Sequence, residues 1–273
     1  KMFSILMSLY IKENPNYLKC CLDSLVIQSL KPSEVVIVYD GDVGEKLSLV
    51  VDSFQDKLPL KIIKLKDNVG LGIALKIGLS HCSNNIVARM DTDDICKPER
   101  FEKQLGIMNK EPSLVMLGSG IIEFDEQNNQ REKVLPCEKN KILEFSKLKN
   151  PFNHMTVVFR KNEILAVGGY QDHLFMEDYN LWLRLLAAGY ELRNIKDILV
   201  DARVGTDMVK KRKGLRYIKS EYKLMKIKNE LNITGFFEGV GIFIFRSLTR
   251  LLPTSLLEKL YNKDRTSING IYK

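Results

Sequence analysis

Four short runs in the first ninety residues constrain this chain more than anything else in it. They are "FSILMS" (3–8), "EVVIVYD" (34–40), "LKIIKL" (60–65) and "IVARMD" (86–91). A strand with one wet face alternates apolar and polar residues. Continuous β-branched runs instead mark strands buried on both faces. Helix-like segments at about 15–29, 45–55 and 70–82 separate them. Strand–helix alternation predicts a parallel sheet with crossover helices, and ligands bind such sheets where the turns leave the strand ends.

Beyond residue 110 the pattern loosens. Residues 114–124 and 155–161 read as strands, 138–148 as a short helix and 176–190 as a helix that Gly189 stops. Residues 192–203 close a body of about 1–205. At 273 residues, one elaborated α/β domain with a carboxy-terminal tail fits the length.

The tail differs in charge. Residues 1–202 carry 26 Lys+Arg against 28 Asp+Glu, a net −2, whereas residues 203–273 carry 16 against 6, a net +10. Residues 206–273 therefore read as a basic, amphipathic helical tail. A basic helix is expected at 209–231, with Lys210, Lys211, Arg212 and Lys213 at its start. An apolar segment follows at 235–253, with Phe243, Phe245, Leu248, Leu251 and Leu252 as expected insertion residues. Arg246 and Arg250, one turn apart in it, rule against spanning and suit lipid head groups. Nucleic acid, an anionic membrane face, or simple packing on the body are the partners such a tail admits.

Five cysteines, an odd number without a CxxC pair, argue against a disulfide framework or zinc site and for a reducing cytosol. The opening "KMFSILMSLY" reads as a first buried strand rather than a secretory signal. No run of about 20 uncharged apolar residues predicts a span.

The fourth run ends in Asp91-Thr92-Asp93-Asp94. Three carboxylates in four residues repel one another unless they are solvated, act as helix caps, or share a cation. A phosphatase-type nucleophile loop normally follows the first strand, not the fourth. A divalent metal fits better: Mg²⁺ and Mn²⁺ take one or two carboxylates and leave the remaining positions to phosphates and water. The glycines of "GLGIALKIG" (70–78) do not make a dinucleotide fingerprint, because Leu75 stands where the third glycine belongs.

Five segments in order carry a family resemblance. They are "SLYIKENPNYLKCCLDSLVIQSLKPSEVVIVYDG", "NVGLGIALKIGL", "IVARMDTDDICKPERFEKQ", "NPFNHMTVVFRK" and "MEDYNLWLRLLAAG". Together, over about residues 3–205, they resemble family 2 glycosyltransferases of the bacterial O-antigen and amylovoran type. The resemblance implies a GT-A fold: a Rossmann-like, mostly parallel sheet flanked by helices. It implies a nucleotide-sugar half at about 1–110 and an acceptor half at about 111–205.

The resemblance also implies roles. Tyr10, Glu13, Asp40, Asn68, Gly70, Arg89, Asp91, Thr92 and His154 would bind the nucleotide sugar, with Asp40 on the uracil. Asp93, with Asp91, would hold Mn²⁺ or Mg²⁺. Glu177 and Asp178 would be catalytic, Asp178 as the base. Plainer roles stay open for several of them: loop packing for Tyr10, turn chemistry for Asp40, close helix packing for Gly70 and Gly72, and a hydrogen-bonded packing role for His154. A structural carboxylate partner remains open for Arg89, and a helix first-turn acid for Glu177 and Asp178.

Two departures matter. Tyr39 stands where the family often has the first of two acids, and the Gln-x-x-Arg-Trp motif of processive synthases is absent, Trp182 being the one Trp. The implied activity is therefore one hexose, Gal or Glc, moved from a UDP-sugar with inversion. The acceptor would be an undecaprenyl diphosphate GlcNAc or GalNAc, by a β1,3 link. The expected place is cytoplasmic, peripheral on the inner face of the bacterial inner membrane. A non-catalytic nucleotide-sugar or nucleic-acid binding protein is the alternative, although the tail lacks the regular aromatics that nucleic acid favours.

Overall fold

In a computed structural model, residues 2–127, 129–205 and 213–251 are described. Lys210, Lys211, Arg212 and Leu252 lie outside them, as does the side chain of Leu251. The four apolar runs form β1 (Ser4–Leu9), β2 (Glu34–Tyr39), β3 (Leu60–Lys64) and β4 (Ile86–Arg89). Crossover helices α1 (Pro15–Val26), α2 (Glu45–Asp52) and α3 (Leu71–His81) join them. Pairing is parallel throughout, in the order β3-β2-β1-β4.

The period-2 geometry of a strand splits the apolar runs between two cores. Phe3, Ile5, Met7 and Leu9 of the β1 segment, with Val35 and Ile37 of β2, pack under α1 and α2. Leu6, Val36 and Val38 pack on the other side with α3 and Trp182. Burying each such side chain contributes about 1.5–3 kcal/mol, which is why runs this apolar have no stable alternative as surface strands.

The second half of the sheet is mixed. A two-residue strand β5 (Ile95–Cys96) and α4 (Arg100–Lys110) follow β4. Then come β6 (Leu114–Phe124), β7 (Gln130–Lys133), α5 (Lys139–Leu148), a 3-10 turn (His154–Thr156), β8 (Val158–Arg160), α6 (Lys161–Ala166), α7 (Glu177–Ala187) and β9 (Glu191–Arg203). The sheet continues from β4 as β8-β6-β9-β5, with β7 on β6. β8 is antiparallel to β4 and β6, whereas β6 and β9 run parallel. The parallel character expected from sequence thus holds for the amino-terminal strands and for β6 with β9, and the antiparallel pairings of β8, β7 and β5 make the sheet mixed. α4 begins two residues after Pro98, because Pro98 and Glu99 form a turn in which Lys97 O accepts Arg100 N–H at 3.1 Å.

The described tail is α8 (Leu215–Glu230) and α9 (Phe236–Leu251). α8 packs on the body: Tyr217 and Leu224, with Ile233, form a cluster with Met176, Tyr179 and Leu183. Lys228 Nζ reaches Lys147 O at 2.7 Å. The expectation that Arg246 and Arg250 face head groups is corrected. Arg246 makes a bidentate pair with Glu221, 2.7 Å on each arm, and Arg250 lies 3.6 Å from the same carboxylate. Glu221 is buried, and a buried carboxylate without partners is too costly to leave alone. Phe243 is also not free, since it packs edge-on against Tyr222 at 5.7 Å.

Candidate active site

Three strand ends converge where β1 lies between β2 and β4, and each carries candidate residues. After β2, Asp40 organises the neighbouring turn. Its carboxylate accepts the N–H of Val69 at 2.6 Å, the N–H of Gly70 at 3.0 Å and Asn68 Nδ2 at 3.1 Å. Gly41, at φ +83°, makes this possible, because a Cβ there would stand 2.9 Å from the Asn68 nitrogen. Asp40, Asn68 and Gly70 are thus one unit. Asp40 has committed both oxygens to the turn, and a carboxylate's four acceptor sites leave one for a ligand.

After β1, Tyr10 is exposed, and Glu13 ties its loop to the acid loop. Glu13 Oε1 accepts Asn14 N–H at 2.7 Å, and Oε2 accepts the Thr92 hydroxyl at 2.5 Å.

After β4 comes the acid loop, held from both halves of the sheet. β5 pairs with β9, so the end of β9 returns to the acids. Arg203 N–H donates to Asp94 Oδ1 at 2.8 Å and its Nε to Asp93 O at 3.3 Å. Its guanidinium stacks on Tyr17 at 3.8 Å and on Phe124 at 4.5 Å. Arg89 is fully buried; it pairs with Asp91 and donates to Met90 O. Of the two readings of Arg89, this geometry supports the carboxylate partner.

Even so the acids outweigh the cations. Burial, Asp91 and Glu13 push Asp93 up to about 7, and burial with Asp91 and Asp93 pushes Asp94 well above the carboxylate range. Asp94 Oδ2 is buried without a partner. No cluster of three His, Cys, Asp or Glu ligands stands ready for a metal among the described residues. The donor set therefore fits an ion held by one or two carboxylates and completed by phosphates, and does not fit an all-protein cage.

Glu177 and Asp178 open α7. Phe175, just before them, adopts φ +66°, a strained conformation for a non-glycine residue, and stacks on Tyr217 at 5.3 Å. Asp178 Oδ1 accepts its neighbour's N–H at 2.7 Å, and Oδ2 accepts Asn150 Nδ2 at 2.6 Å. Glu177 is buried, and burial with Asp178 beside it pushes its carboxyl up to about 8, against a pull from Arg89. Gly72 of α3 admits this pair: a Cβ there would stand 2.7 Å from Gln171 O and 3.0 Å from Glu177 Cβ. His154 Nε2 meets the Tyr170 hydroxyl at 2.9 Å, and burial and Arg89 keep the imidazole neutral, well below its usual range.

The site thus brings together Glu13 with Thr92, Asp40 with Asn68 and Gly70, and Arg89 with Asp91. Glu177 senses both Arg89 and Asp91, which links the acid pair to the acid loop. Sequence reasoning missed Asn150 and Arg203. Neither lies in a repeated spacing; the nearest signals were "NPFNH" and the basic residue ending the last strand.

Comparisons with known proteins bear on the family and the fold. The family model described as glycosyl transferase family 2 matches residues 4–167. The amylovoran biosynthesis glycosyltransferase AmsE of Erwinia amylovora is 52% identical over 97% of this chain and 99% of its own. A UDP-Gal:alpha-D-GlcNAc-diphosphoundecaprenol beta-1,3-galactosyltransferase of Escherichia coli is 39% identical over 96% and 95%. Among solved structures, S. aureus TarS 1–349 in complex with UDP-GlcNAc superposes with a TM-score of 0.70 at 17% identity, over 92% of this chain and 72% of that one. The mannosyltransferase PcManGT of Pyrobaculum calidifontis, with GDP-Man and Mn²⁺, gives 0.63 at 13% identity, over 96% and 79%. These two likenesses show a GT-A-like fold. With the family match over more than half its length and relatives of this identity, the chain belongs to glycosyltransferase family 2.

Proposed function

We propose that this enzyme moves one hexose, galactose or glucose, from a UDP-sugar to an undecaprenyl diphosphate-linked GlcNAc or GalNAc in O-antigen or capsule biosynthesis, inverting the anomeric centre and forming a β1,3 link. The observation that carries the reading is the acid loop at the end of β4, with Asp91 paired to buried Arg89, in a chain of glycosyltransferase family 2. The name of the 39% identical relative supports the donor, the acceptor class and the linkage.

Asp178 is the base. Asn150 and the Tyr179 N–H orient its carboxylate, which takes the acceptor hydroxyl proton as that oxygen bonds to the anomeric carbon. The bond to UDP breaks on the opposite face and its electron pair leaves on the diphosphate. Glu177, protonated below about pH 8, donates its O–H to a sugar hydroxyl rather than competing for the proton. Asp93 and Asp91 would hold Mn²⁺ or Mg²⁺. When bound, such an ion neutralises the departing diphosphate. The Asp40–Asn68–Gly70 unit, Tyr10 and Glu13 hold the nucleoside side, while Thr92 and His154 shape the donor pocket. Positioning and charge stabilisation supply most of the acceleration. The enzyme works from the cytoplasmic side, peripheral on the bacterial inner membrane, where such an acceptor resides.

A panel of UDP-sugars with a synthetic lipid-diphosphate GlcNAc or GalNAc tests the reading. Acceptor-dependent UDP release and a β-linked disaccharide by NMR are expected. Nucleotide-sugar binding without turnover would establish the non-catalytic alternative instead.

A further inference from the structure

α9 is built inside out. Its protein-facing side carries Arg246 and Arg250, both paired with buried Glu221, and Phe243 against Tyr222. Its outward side carries Phe237, Gly241, Ile244, Phe245 and Leu248, at i, i+4, i+7, i+8 and i+11, which is one face of a helix. Phe237 is 89% exposed, Phe245 69%, Leu248 60% and Ile244 51%. A helix resting on a protein in water does the reverse, burying its apolar stripe. A second apolar phase is therefore expected over this face.

The surroundings identify that phase. α8 shows a stripe of exposed bases, Arg216, Lys219 and Lys226, at i, i+3 and i+10. Tyr222 joins the two helices. It is 44% exposed, lies edge-on to Phe243 of α9 and carries Lys226 Nζ 4.8 Å from its ring. An apolar ridge on one helix, with an amphipathic ring and a basic stripe on the helix packed against it, is what a bilayer interface with anionic head groups selects. A second copy fits poorly, because it would bring two segments of net charge +10 together. Among the described residues no helix is long and apolar enough to cross a membrane: the 16 described residues of α9 reach about 24 Å against about 30 Å of hydrocarbon.

We infer that the outward face of α9 inserts in the plane of an anionic bilayer, with the α8 stripe on its head groups. The inference rests on the membrane-borne acceptor and adds an orientation to it. Arg246 donates to Leu148 O, and two residues further on Asn150 holds Asp178. Docking through α9 is thus linked through Leu148 and Asn150 to the segment that holds the base.

The test is flotation of the full chain with vesicles of phosphatidylcholine containing about one-third phosphatidylglycerol, and with phosphatidylcholine alone. Wild type should float with the anionic vesicles. The variant Phe237→Gln/Phe245→Gln/Leu248→Gln should lose at least about tenfold in partitioning at any salt concentration, since apolar insertion is not screened. The variant Arg216→Gln/Lys219→Gln/Lys226→Gln should lose comparably at low salt and little at high salt. Both should keep wild-type far-UV circular dichroism and UDP-sugar turnover on a short-chain soluble acceptor. Failure of wild type to float would overturn the inference. So would wild-type flotation of the apolar variant, or a wild-type dimer that this variant dissolves. Absence of transfer on every acceptor would sink the proposed reaction and leave the flotation result standing.

Discussion

Asn150 donates its side-chain amide to Asp178 Oδ2 at 2.6 Å, joining the segment after α5 to the first turn of α7. The bond fixes the rotamer of the carboxylate. Asp178→Asn should therefore lower kcat by roughly 10²–10⁴-fold with little change in UDP affinity, because a base acts in the transition state. Asn150→Ala, which leaves the base but frees its rotamer, should lower kcat by about tenfold. Single-turnover rates and UDP titration check both. Lost UDP affinity at unchanged turnover would remove Asp178 from the base role.

Glu177 gives a pH signature. Its carboxyl is raised from 4.5 to about 8, so the fold retains a proton that the unfolded chain releases. The stability it contributes is complete below about pH 4.5 and is lost as pH rises through about 8. Asp93, raised from 3.8 to about 7, has the same sign over a lower window. In chelator, the thermal midpoint should fall between pH 5 and pH 8. Glu177→Gln should flatten that fall. An unchanged slope in the variant would mean that Glu177 is not held protonated.

Asp93→Asn separates metal chemistry from folding. Loss of a raised, buried carboxyl should increase the midpoint at pH 8 in chelator while abolishing the stabilisation that Mn²⁺ gives. Turnover should fall at least about a hundredfold. Turnover within about twofold of wild type would make the metal assignment wrong.

The parts of this molecule legible in its sequence are those where one pattern had one physical cause. Continuous apolar runs have no use except as doubly buried strands, so β1, β2 and β4 could be read directly. β5 could not, because two residues have no period; its pairing with β9 is what brings Arg203 to Asp94. Asn150 was hidden for a similar reason, since a single amide shows its partner only once two distant segments meet. Helical spacing showed that Arg246 and Arg250 share a face. It could not show which face points inward, because that depends on Glu221, 25 residues away from Arg246.

That last relationship sets the prediction for the tail. Glu221 is 2% exposed, and its charge is balanced by Arg246 and Arg250. Arg246→Met removes both hydrogen bonds of the bidentate pair and leaves a buried carboxylate with its more distant partner. Breaking a buried pair from one side costs about 3–5 kcal/mol. Glu221→Gln/Arg246→Met, which removes charge from both sides, should cost less than the single variant. Truncation after Gly205 should be worse than either, because it uncovers Met176 and, on α7, Tyr179 and Leu183, and frees Phe175 from Tyr217. Phe175 holds its left-handed backbone two residues before Glu177. The truncated chain should therefore lose turnover on a soluble acceptor as well as stability, whereas UDP binding at the β1, β2 and β4 ends should weaken less. Denaturant midpoints, UDP titration and soluble-acceptor rates for the four proteins check this. A truncated protein with wild-type rates would show that the acid pair is positioned without α8 and α9.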